Sequence, residues 1–192
     1  MKDFIKNNFV LLLAFMLPIA LIVIVALSTY IPSRLISTDY NFIYTSCTNS
    51  RSVYYRCDNY LQQRYSVSNN KLAVNTISPT QDSDKDGTPD VKEYTTRIFL
   101  HDTEKNESRE IGLEEAKLLT LNSLITSPDG ITVSSSYNRG ADFLFLFDSG
   151  SSYGIYLTKG KSKRKLQLIN DDSRYYYRDN FRFLGWVIPG RN

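Results

Sequence analysis

The residues best suited to chemistry form one acidic run, Asp82 to Glu93, reading DSDKDGTPDVKE. Carboxylates at alternate positions, a glycine at the sixth and a glutamate at the twelfth match the calcium-loop pattern D-x-D-x-D-G. Asp82, Asp84 and Asp86 supply oxygens at positions one, three and five, and Gly87 makes the sharp turn. Thr88 offers its carbonyl, Asp90 acts through water, and Glu93 closes the shell with two oxygens. Calcium requires this crowding, because about six to eight hard oxygens must surround it at 2.3–2.6 Å. The plain alternative is an acidic surface turn bent by Gly87 and Pro89.

A second charged cluster is Lys159–Lys165, KGKSKRK. Lys159, Lys161, Lys163, Arg164 and Lys165 form a contact surface for anionic groups: lipid headgroups, an envelope polymer or nucleic acid. The alternative is a solvated hairpin tip whose lysines discourage edge pairing. Arg174–Arg178, RYYYR, with Arg182 beyond, mixes cations and rings as stacking surfaces do, or else covers a sheet face with tyrosine. The net charge of +3 is too small to indicate a nucleic-acid binder, so nucleic acid is not the expected partner.

Cys47 and Cys57 are the only two cysteines. An even count in an exported domain suggests one disulfide, and two buried thiols are the alternative. Catalytic signatures are sparse. His101 is the single histidine and precedes Asp102, but no nucleophile motif accompanies the pair. Matches to S-x-x-K at Ser68/Lys71 and Ser162/Lys165 lack companion motifs. The sequence therefore favours a binding or structural module over an enzyme.

The elements that position these residues follow from hydropathy. Phe9–Tyr30 carries no charged residue and reads as one transmembrane helix spanning residues 9–30. A cleaved signal peptide ending near Ala26 and Ser28 is the rival, although this run exceeds the usual apolar core of such peptides. Lys2 and Lys6 precede the run and only Arg34 follows closely, so the positive-inside rule puts residues 1–8 in the cytoplasm. Residues 31–38 then form a juxtamembrane linker, and 39–192 an extracytoplasmic domain. The expected partner of residues 9–30 is the lipid bilayer.

Residues 39–192 read as about ten short strands and one helix, Leu113–Leu121. Asn69-Asn70 between two strand-like runs signals a hairpin at 64–74, and Ser127–Gly130 (SPDG) is a turn. Ala141–Phe147 is nearly continuous apolar and reads as a central strand, while Phe181–Ile188 closes the domain with Trp186 as a core anchor. With 13% aromatic residues, the composition is that of a folded chain. The expected fold is a compact all-β domain, as propeller-like blades or a sandwich.

Ile98–Asp102 and Ser127–Val133 resemble pieces of TolB-like and WD-repeat-like propeller blades, in which a strand ending in Asp leads a hairpin and an SPDG turn precedes the next strand. Tyr153–Ile169 followed by Phe181–Trp186 is a partial second echo. The acidic loop, with Pro89, resembles the calcium repeats of thrombospondin type 3 and dockerin-like modules, which implies a structural calcium ion. The whole layout resembles small membrane-anchored bacterial proteins, a likeness that implies no activity.

Overall fold

The structure is a computed structural model and describes residues 8–34, 36–49, 57–82, 87–138, 152–160, 162–169 and 180–190. The first element is helix α1 (Phe9–Arg34). Here the expectation of a transmembrane helix over residues 9–30 is corrected: among the described residues no helix is long and apolar enough to cross a membrane. The apolar run does form a helix, which continues past Tyr30 to Arg34. Residues 1–7 lie outside the described residues.

The rest of the chain is mainly β, as its strand-like runs predict. Among the described residues ten strands follow: β1 (Phe42–Asn49), β2 (Tyr65–Ser68), β3 (Lys71–Val74), β4 (Tyr94–Asp102), β5 (Glu107–Ile111), β6 (Thr120–Asn122), β7 (Thr132–Asn138), β8 (Ser152–Lys159), β9 (Ser162–Lys165) and β10 (Phe181–Ile188). Among the same residues three short helices interrupt them: α2 (Asp58–Arg64), α3 (Asp90–Glu93) and α4 (Leu113–Leu118). Of these, only α4 is foreseen in the sequence, and it stops three residues earlier than expected. The Leu119 backbone is already extended there, and Thr120 opens β6.

An antiparallel sheet in the order β5-β4-β1-β10-β6 forms the centre. Its middle strand, β1, alternates between two faces. Ile43 and Cys47 face one layer with Ile98, Ile111, Leu121 and Leu184. The β2–β3 hairpin, α2 and α4 cover that layer through Leu72, Leu61 and Ala116. Phe42 and Tyr44 face the opposite layer with Phe99 and Trp186. There the second sheet, β7-β8-β9, contributes Val133, Ile155 and Leu157. Two packed sheets with a helix-and-hairpin cover make a sandwich-like arrangement, and the propeller-like segments Ile98–Asp102 and Ser127–Val133 fall in different sheets.

Turn chemistry sets the registers. Asn69 and Asn70 both take left-handed φ (49° and 59°), as a two-residue hairpin loop demands. Between Ile43 and Tyr44 the pairing with β10 slips from Gly185 to Phe183, so Leu184 is an extra residue. This bulge lets Leu184 face one layer while Phe183 and Trp186 both face the other. Gly185 has no room for a side chain, since a Cβ would come within 2.8 Å of the Asn122 carbonyl oxygen.

Residues 36–41, expected as the end of a linker and the start of a strand, are built into the domain. Ile36 and Thr38 are buried. Asp129 of the SPDG turn accepts from the Thr38 hydroxyl (2.9 Å) and the Asp39 amide (3.2 Å). Thr103 donates to the Tyr40 carbonyl (2.9 Å), and Arg164 donates to the Ile36 carbonyl (3.2 Å). Residue type and spacing carry no sign of these ties, because each joins residues far apart in the chain. The expected strand at Ala141–Phe147 lies outside the described residues.

Candidate functional site

In the acidic loop, the Asp82 carboxylate accepts the Gly87 amide at 2.8 Å, joining the first and sixth positions. Gly87 has φ +89°, the left-handed turn the pattern requires at that place. The Asp90 amide donates to the Gln81 carbonyl at 2.8 Å, and the Asp90 side chain is fully buried. Asp90 opens α3, a single helical turn within the run read as an acidic loop. Thr88 is half-buried. Asp84, Asp86 and the side chain of Glu93 lie outside the described residues. Among the described residues, no three His, Cys, Asp or Glu side chains group as metal ligands.

The basic cluster is divided by strand alternation. Lys159 and Lys165 are exposed, as is Lys163, while Arg164 is half-buried on the opposite side of β9. Arg164 serves the fold: its guanidinium donates to the carbonyls of Ile36 (3.2 Å) and Glu104 (3.3 Å). The stem of Lys165 lies over Gly154, with its Cε 3.2 Å from where a glycine Cβ would stand. Lys161 lies outside the described residues. The structure thus places Lys159, Lys163 and Lys165 near one hairpin tip and removes Arg164 from the set.

Cys47 and Cys57 are bonded to each other with their Cα atoms 6.5 Å apart. Both are buried, and Cys57 immediately precedes α2, so the bond ties β1 to the helical cover. Residues 174–178 lie outside the described residues. Arg182 is half-buried on β10 opposite Thr45, and desolvation lowers its pKa.

A constellation that sequence reading missed surrounds His101. The ring is wholly buried, and its Nδ1 is 2.9 Å from the Ser108 hydroxyl directly across the β4–β5 pairing. The ring lies against Phe42, centroids 4.8 Å apart. Its Nε2 is buried without a hydrogen-bond partner among the described residues. Burial pushes the imidazole pKa down to about 4; the Asp102 carboxylate works against this and the Arg164 guanidinium with it. On the same face the Tyr44 hydroxyl accepts the Ile169 amide (3.0 Å) and donates to the Ile169 carbonyl (3.2 Å). Desolvation raises that phenol to about 12. Ser108 also borders an open cleft of about 320 Å³ with Asn106, Glu107, Gln167, Leu168 and Ile169. The only sequence signal was the turn Thr103–Asn106, whose length sets His101 opposite Ser108.

A scan against protein-family models, a search of curated proteins and a search of solved structures each found no match.

Proposed function

We propose that this chain is a non-catalytic β domain with a structural or binding role at the cell envelope, outside the cytoplasm. The state of His101 is the observation that carries the reading. A buried N–H without an acceptor is costlier than an unused lone pair. With Nε2 unpartnered, the favoured tautomer therefore keeps its proton on Nδ1 and donates to Ser108. In that state the imidazole is a cross-strand tie and cannot take the serine's proton. The Cys47–Cys57 bond supports an oxidising location. The exposed lysines Lys159, Lys163 and Lys165 suit an anionic envelope polymer. The test is a screen of the full chain against chromogenic esters, phosphoesters and glycosides, repeated with His101→Gln. Turnover by the parent that disappears in a folded His101→Gln chain sinks the proposal.

A second reading makes the module calcium-dependent, with Asp82–Glu93 organising the ligand surface. The Asp82–Gly87 contact favours it, because it joins the first and sixth positions of the calcium-loop pattern.

A further inference from the structure

The chain has one histidine and one tryptophan, and the fold places both in the same layer between the two sheets. His101 and Trp186 are each 0% exposed, and each packs on Phe42, with ring centroids 4.8 Å and 5.5 Å away. Histidine is the side chain whose ordinary charge change falls between pH 5 and 8. At this position a second proton is poorly accommodated. Nδ1 is engaged with Ser108, and buried Nε2 has no hydrogen-bond partner among the described residues.

The neighbouring groups offset the desolvation only in part. From β4 itself, Asp102 draws a positive charge. From β9, Arg164 repels one. From β5 and its turn come the neutral Ser108 and also Asn106, whose side chain favours the charged ring. From β1 come Phe42 and Tyr44, the latter neutral because its phenol is pushed up to about 12. Farther along the sheet, Arg97 of β4 and Glu110 of β5 face each other at 3.7 Å.

We propose that His101 is an acid-sensitive latch: protonating its ring loosens the layer between the two sheets at the β4–β5 end and admits water beside Phe42 and Trp186. The second N–H of an imidazolium needs an acceptor, and a desolvated cation next to Arg164 is unfavourable. The ring can satisfy both demands only by meeting water. A few polar ties close this end of the layer: Arg164 to Ile36 and Glu104, Asn106 to Lys165 and Gln167, and Tyr44 to Ile169. Opening there leaves the hydrogen-bonded ladder of the five-stranded sheet intact.

The size of the effect follows from linkage. A water-exposed ring titrates near 6.5, whereas the closed layer holds it near 4. As pH falls through that window the open form gains protons that the closed form refuses, so the open-to-closed ratio rises by up to about 300-fold. Two measurements on the full chain test this. The lone imidazole gives one set of ring signals in NMR, which should titrate well below 6.5. Acrylamide quenching of the lone tryptophan should increase reversibly from pH 7 to pH 4, and should stay flat in His101→Phe. If that variant does not fold, His101→Gln serves, since it also removes the titration. A ring pKa near 6.5 with Trp186 still protected overturns the latch. So does an unchanged acid response in either folded variant.

Discussion

Severing the Cys47–Cys57 bond should lower stability by about 3 kcal/mol. The bond closes a loop with a sequence separation of 10, and the chain-entropy relation converts a loop of that size to about 2.7 kcal/mol at 25 °C. Both residues sit in the layer containing Tyr60, Leu61 and Leu72. Substituting Cys47→Ala and Cys57→Ala therefore also leaves room once filled by two sulfurs, adding roughly 1 kcal/mol. Reduction without substitution should show the smaller loss and the double variant the larger. For a domain of this size, 3 kcal/mol corresponds to a fall of about 6–12 °C in melting temperature. The assay is urea unfolding followed through Trp186, which is fully buried in the native state, with reductant present throughout in one arm. Both arms should also differ in slope, because an uncrosslinked unfolded chain exposes more surface. Equal midpoints with and without reductant would refute the reasoning, as would two free thiols found by mass spectrometry of the untreated chain.

Two further outcomes are expected. Asp129→Ala should cost about 1 kcal/mol by releasing residues 38–39, whose hydroxyl and amide its carboxylate holds. Burial pushes that carboxyl up, but hydrogen bonds from Ser127, Thr38 and Asp39 outweigh it and hold the pKa below its usual value. Its contribution is thus present above the unfolded-state pKa and fades as pH falls through the folded one. Comparing parent and variant melting curves between pH 7 and pH 3 should show the difference shrinking with acid, and a constant difference would contradict it. Calorimetric titration of the full chain with calcium should give one site, lost in Asp82→Ala; no heat at millimolar calcium would leave the loop an acidic turn.

Local chemistry explains what was legible in advance. The Asn69-Asn70 hairpin, the SPDG turn and the strand Phe181–Ile188 depend on residues close in sequence, and all appear where their residues predict. The Trp186 anchor follows from its size and apolarity, and it is fully buried. Apolarity alone misled at residues 9–30, where a run of apolar residues specifies a helix but not what surrounds it. The helices Asp58–Arg64 and Asp90–Glu93 were missed because they are short, and their ends are set by neighbours rather than by propensity.

The sequence by itself determined the β class, the turns, the cysteine pair and the acidic loop, because each is written in residue type and near spacing. Only the tertiary structure decided which residues meet. It set β1 between β4 and β10, drew Arg164 out of the basic cluster to hold Ile36, and buried His101 between Ser108 and Phe42. The physical reason is register. Strand pairing between distant segments fixes which side of each strand faces the core, and a shift of one residue would have turned His101 to the other face.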